Sequence, residues 1–118
     1  MTQHPIQTGN AATDNIMGWF VGGSVDKAFG LRHNYDVELK WSTLKAGEER
    51  PEWVTEEVRT TVAILISGKY EVMFRDQSVI LAKQGDFVMW GEGHDHKGRA
   101  MEDSVILTVR WPSIPRHQ

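Results

Sequence analysis

Two histidines with one residue between them, His94 and His96, follow the turn Gly91-Glu92-Gly93. On a strand, residues i and i+2 point to one face, so both imidazoles can address the same site. Such a pair can chelate zinc, iron, manganese or nickel, each of which requires a further protein ligand. Without a metal, an imidazole with a pKa near about 6.5 serves as acid, base or hydrogen-bond group, and His94 is expected to line a pocket in that role. The chain also carries five tryptophans, each offering a large apolar face and one N–H that needs a partner when buried. Trp53 interrupts a polar segment and is the candidate for a flat apolar pocket wall. Trp90 closes the apolar run Phe87–Trp90 just before the histidines. Trp41 and Trp111 continue apolar faces and are assigned to packing. His33, between Arg32 and Asn34, reads as a surface histidine, and His4 and His117 lie close to the termini.

The elements that must position these residues read as strands and turns. Val37, Leu39, Trp41 and Thr43 alternate with Glu38, Lys40 and Ser42, the period of a strand with one wet face. Thr60–Ser67 is β-branched and apolar on both faces, as in a strand buried on both sides. Gly68-Lys69 turns the chain into Tyr70–Phe74; Asp76-Gln77 and Gln84-Gly85-Asp86 are further turns. Val105, Leu107, Val109 and Trp111 share a face of the last strand, with Arg110 expected to point outward, and Pro112 and Pro115 end it. No stretch keeps a helical period. About eight short strands with regularly spaced turns predict an all-β sandwich or barrel, the eight-stranded jelly roll among them. Residues 1–15 are polar and aperiodic and are expected to be a flexible tail, leaving 16–118 as one β-barrel domain.

Composition narrows the function classes. A length of 118 residues suits one domain. A formal net charge of −3 gives no footprint for nucleic acid or for an anionic membrane surface. There are no cysteines, which removes thiolate nucleophiles, disulfides and zinc–sulfur sites. No apolar leader or spanning run is visible, so a cytoplasmic location is expected. Glu48, Glu49, Arg50, Glu52, Glu56, Glu57 and Arg59 form a dense charge run, read as a solvated rim unless one Glu or Arg turns inward. No nucleophile elbow or dinucleotide fingerprint is present, and Gly22-Gly23 is not followed by a helical pattern.

The stretch Glu38–Trp111 resembles a small single-domain cupin. Three segments carry the likeness: Leu39–Pro51 as strand and loop, Val62–Val72 as apolar strand, glycine turn and next strand, and Gln84–His94 as the second histidine-bearing motif. The resemblance implies a cupin-type jelly-roll β-barrel. It places His94 on the family's metal-binding histidine, with Gly91 where the motif has proline. The first motif is stripped of histidine: Trp53-Val54-Thr55-Glu56-Glu57 and Thr60-Thr61 occupy its place, and Trp53 stands where its first histidine falls.

These departures point away from the usual metal. The expected function is binding of a small organic ligand at the barrel mouth between Trp53, Thr55, Trp90, His94 and His96, without a tightly held cofactor. The resemblance allows a lyase, cyclase or isomerase in which Glu57 or His94 removes a proton; desolvation would have to raise the glutamate pKa toward neutrality. One alternative is a metal-dependent enzyme of oxygenase type using His94, His96 and a carboxylate, Glu57 or Glu56. Another is a non-catalytic ligand sensor or assembly protein. Small jelly rolls leave strand edges open, and the apolar run Met17–Val21 suggests a homodimer.

Overall fold

The computed structural model describes residues 5–55 and 57–114. The expectations for His4, Glu56, Pro115 and His117 fall outside these residues. Eight strands form: β1 (Trp19–Val21), β2 (Glu38–Leu44), β3 (Thr60–Ser67), β4 (Tyr70–Phe74), β5 (Ser78–Leu81), β6 (Phe87–Trp90), β7 (His96–Ala100) and β8 (Ser104–Trp111). A short 3-10 segment, Lys27–Arg32, is broken by Gly30 at φ 65°. One sheet has five strands in the order β1-β2-β8-β3-β6, the other three in the order β5-β4-β7, and all pairings are antiparallel. Two antiparallel sheets with crossing connections make the all-β jelly roll expected from the turn spacing. The chain reverses between β3 and β4 at Gly68 (φ 93°), where a side chain would run into the backbone of Asp103 and Ser104.

The two sheets meet through a core of Ala63, Leu65, Val72, Phe74, Leu81, Trp90 and Ile106. This fixes which face of the large sheet is inside. Thr61, Ala63 and Leu65 of β3 point in and are buried, while Val62, Ile64 and Ile66 point out and are only half-buried. The expectation that β3 is buried on both sides is corrected: its second face is only half-buried and has no covering layer among the described residues.

The same geometry reverses the reading of β2 and β8. Register pairs Glu38 with Arg110, Lys40 with Thr108 and Ser42 with Ile106, and all six line the barrel interior. The polar face of β2 is therefore the inner one. Its apolar face, with Leu39 and Trp41, shares the outside with Val105, Leu107, Val109 and Trp111. Trp41 and Trp111 thus pack on the outer surface, not in the core, and Arg110 points in, not out.

Residues 47–54 run antiparallel beside β7. Gly47 N–H donates to Ala100 O (2.8 Å), Arg50 N–H to Gly98 O (3.2 Å), and Val54 and His96 exchange backbone bonds of 2.8 and 3.1 Å. This segment extends the small sheet and flanks the opening of the barrel. The chain before β1 is tied to the 3-10 segment: the Gln7 amide donates to Phe29 O at 2.8 Å and accepts from Leu31 N–H.

Candidate functional site

Between the sheets lies a cavity of about 1280 Å³. Its large-sheet wall is built in rows, because directly paired residues of neighbouring strands carry their side chains on the same face. One row reads Glu38, Arg110, Thr61, Trp90 across β2, β8, β3 and β6. The next reads Lys40, Thr108, Ala63, Val88. Toward the other end the wall becomes apolar with Leu65, Ile106 and Leu44.

The first row anchors a buried ionic cluster. Arg59 donates from Nε and Nη2 to the two oxygens of Glu57 (2.6 and 3.0 Å) and from Nη1 to Glu38 Oε1 (2.6 Å). Arg110 Nε lies 2.8 Å from the same Glu38 oxygen, and its Nη1 is 4.0 Å from Glu57 Oε2. Ser113 Oγ donates to Glu38 Oε2 (2.9 Å) and accepts from Gly23 N–H (2.9 Å), tying β2 to the chain after β8. Two carboxylates and two guanidiniums balance. Burial alone pushes the Glu57 carboxyl up, but the side-chain and backbone hydrogen bonds from Arg59, with the charges of Arg59 and Arg110, hold it below its ordinary value. Glu57 is therefore an ionised and weakly basic carboxylate. The raised pKa that a Glu57 base requires is replaced by its opposite, because Arg59 follows two residues later and turns back onto it.

His96 opens β7 and is half-buried on the cavity wall, its ring 4.7 Å from the Trp90 ring, centroid to centroid. Its Nδ1 lies 3.3 Å from His94 O. That contact is a hydrogen bond in the tautomer or charge state that carries a proton on Nδ1, since a carbonyl can only accept. Burial pushes the imidazole below its ordinary pKa, helped by Arg110 and Arg50 and opposed by the His94 bond and Glu57. Tyr70 also lines the cavity, its ring lying over the backbone of Gly98. Burial raises its pKa, partly offset by Arg50. Two further wall atoms, Thr61 Oγ1 and Trp90 Nε1, are buried without a hydrogen-bond partner among the described residues.

The residues singled out from the sequence are divided by this arrangement. Trp90 and His96 meet at the cavity. His94 is exposed in the turn before β7, its ring edge-on to Phe74 at 6.1 Å, and does not line the cavity. The same-face argument for the two histidines fails because β7 begins only at His96. Trp53 does not form the pocket wall: Arg75 Cζ and Lys97 Nζ cover its ring at 4.1 and 5.0 Å, and Val54, the next residue, faces inward instead. Thr55 is exposed and outside the cavity lining. Glu57 is buried in the ionic cluster. Among the described residues no three His, Asp or Glu side chains converge as a metal-ligand set, and Glu57 is engaged by Arg59. His33 is half-buried, with Nδ1 2.7 Å from Val25 O, and holds the loop after β1.

Sequence reasoning missed Glu38, Thr61, Tyr70 and Arg110 as site residues. The signal was the strict polar alternation of β2, which marks an inner polar face as well as it marks a wet outer one.

No protein-family model and no curated protein matches the chain. Solved structures do. KdgF from Halomonas sp. superposes with a TM-score of 0.62 at 19% identity, covering 71% of this chain and 77% of that one. A cupin-2 domain protein of Shewanella frigidimarina gives 0.54 at 25% identity over 69% and 72%. An RmlC-like cupin of the same organism gives 0.61 at 15% over 68% and 69%. At these identities the likeness is one of fold: the barrel is of cupin type.

Proposed function

Proceeding from a cupin-type barrel, we propose that this protein binds a small organic molecule in the cavity and acts on it by metal-independent acid–base chemistry, as a lyase, cyclase or isomerase. One observation supports this above the others: His96, half-buried against Trp90 and pushed by burial below its ordinary pKa, presents an imidazole on a cavity wall. It takes the role expected of His94. Glu57 supplies fixed negative charge through its ion pairs and removes no proton. Trp90 and Val54 exclude water around the imidazole, and Arg50 and Glu48 mark the mouth.

The test is ligand-induced thermal stabilisation of protein purified without an affinity tag, alongside metal analysis. A responding ligand should lose its effect in His96→Gln and keep it in His94→Ala and after chelation. Stoichiometric metal that disappears in His94→Ala would overturn this reading.

The protein is further proposed to act as a homodimer joined through the outer face of the large sheet. Two apolar rows support this, Leu39-Val109-Val62-Met89 and Trp41-Leu107-Ile64-Phe87, each in register across four strands. Phe87 and Met89 are 64% and 53% exposed. With strands about 4.8 Å apart and residues about 3.4 Å apart, the two rows span roughly 260 Å² in plan, a contiguous apolar patch of the kind that is often functional. The patch is flat, apolar and uncharged, so a second copy of itself is a complementary occupant.

A further inference from the structure

The inner face of the small sheet carries a polar cluster built around a glycine. Between β4 and β7, Val72 pairs with Gly98 and Phe74 with His96. The segment 47–54 continues the pairing on the other side of β7. Its bridge Glu49–Arg99, with Arg50 N–H donating to Gly98 O and Ala100 N–H to Glu48 O, sets Arg50 beside Gly98 and Glu48 beside Ala100. Paired residues share a face. Arg50, Gly98 and Val72 therefore form one row, and Val54, His96 and Phe74 the next, about 6.8 Å along β7. Gly98 is not in a positive-φ conformation, so its backbone does not require glycine. Space does: a methyl group there would collide with the Tyr70 hydroxyl. Tyr70, one row further on beside Ala100, thus lays its hydroxyl over Gly98, next to Arg50.

Both polar groups are open to a ligand. Arg50 is exposed, lines the cavity at its mouth, and has no carboxylate within ion-pair reach among the described residues. The Tyr70 hydroxyl makes no hydrogen bond among the described residues and, unlike Thr61 Oγ1 and Trp90 Nε1, is not sealed from the cavity. Burial raises the phenol pKa, so the hydroxyl is a donor at neutral pH.

The charges of the whole wall select the ligand. Arg59 and Arg110 are balanced by Glu38 and Glu57. Lys97 alternates with His96 and Gly98 onto the outer face of β7, its ammonium 5.0 Å from the centre of the Trp53 ring, and Glu49 faces outward with Arg99. Inside, Arg50 and Lys40, whose ammonium lies 5.5 Å over the Trp19 ring, stand against Glu48. Glu48 is itself turned onto the Lys45 N–H at 2.7 Å. Above the lowered pKa of His96, the described residues leave the interior one positive charge in excess, which suits a monoanion. A guanidinium fork with a neighbouring hydroxyl matches a planar carboxylate.

We propose that the cavity takes a small organic monocarboxylate, its carboxylate held by the Arg50 guanidinium and by the Tyr70 hydroxyl over Gly98. This rests on the reading of the cavity as a small-molecule site and names its ligand class. Val72 and Val54 line the wall beside these groups and suit an apolar body. That body lies along the next row, against Val54 and His96.

The probe is 2-naphthoate, compared with 2-naphthamide, which has the same shape without the charge, and with 2-naphthyl phosphate, which carries a second charge. Binding is measured by NMR titration above pH 7. Naphthoate should bind at least tenfold more tightly than either comparison compound. Arg50→Gln should weaken naphthoate at least tenfold and leave the amide within twofold. Arg50→Lys, which keeps the charge but not the fork, should weaken it less. Tyr70→Phe removes only the hydroxyl and should weaken naphthoate at least threefold with an unchanged circular dichroism spectrum. Gly98→Ala, which displaces the hydroxyl, should weaken it at least as much. Equal binding of naphthoate and the amide, tighter binding of the phosphate, or unchanged naphthoate affinity in Arg50→Gln or Tyr70→Phe would each overturn the inference while leaving the cavity a ligand site. Failure of all three compounds to bind would overturn both.

Discussion

Replacing Arg59 by methionine tests the buried ionic cluster, on which the geometry of the cavity floor depends. The side chains of Arg59, Glu57 and Glu38 are 6%, 1% and 4% exposed. Arg59 donates three bonds of 2.6, 3.0 and 2.6 Å to the two carboxylates. Methionine keeps most of the apolar stem and removes all three. Arg110 then faces two buried carboxylates alone. Breaking a buried pair from one side costs about 3–5 kcal/mol. Near about 4 °C per kcal/mol for a domain of this size, the melting temperature should fall by roughly 12–20 °C at pH 7. The pH dependence carries a second signature. Glu57 is held below its ordinary 4.5 by Arg59, so its contribution is present above that value and is lost as pH falls through the depressed folded value. In Arg59→Met that depression is relieved, so the gap between variant and wild type should narrow as pH drops below about 4.5. Thermal melts by circular dichroism at pH 7 and in steps from pH 5 to 3 measure both. A cost below about 1 kcal/mol at pH 7, or a gap that does not change with pH, would refute the account of a tightly engaged buried cluster.

Three further outcomes follow from named contacts. His96 is held below its ordinary 6.5 by burial, with Arg110 and Arg50 acting the same way and Glu57 and the His94 carbonyl opposing. Just below pH 6.5 the unfolded chain takes up a proton that the folded one refuses, so stability is full above 6.5 and declines as pH falls toward the folded value, by at most about 1.4 kcal/mol per pH unit; melts from pH 7.5 to 5.5 should show a smaller loss in His96→Gln than in wild type. Trp53→Ala should leave cavity-ligand affinity within about twofold and cost about 1 kcal/mol of stability, through the stacked Arg75 and Lys97; a large drop in affinity, read by titration, would return Trp53 to the pocket wall. Phe87→Glu on the exposed outer face should shift sedimentation from dimer to monomer with an unchanged circular dichroism spectrum, and a monomeric wild type would refute the assembly.

The architecture was legible in the chain because turns and alternation are local. Gly68, Asp76-Gln77 and Gln84-Gly85-Asp86 end strands wherever they fall in space, and the eight strands lie between such breaks. That Trp90 and His96 lie near one another was also legible, since only a short turn separates them in the chain; that the turn crosses from the large sheet to the small one was not. Alternation, however, states only that two faces differ and not which one is inside. That was decided by the small sheet: by covering Ala63 and Leu65 with Val72 and Phe74, it turned the polar face of β2 and β8 inward and left Leu39, Trp41 and Leu107 outside. The same packing brought Glu38, Glu57, Arg59 and Arg110, separated by up to 72 positions, into one neutral cluster. It also set the start of β7 at His96, so that one histidine of the pair faces the cavity and the other faces solvent. Residue types and local periods are properties of the chain; the sign of a face and the partners of a charge arise only when a second sheet closes over the first.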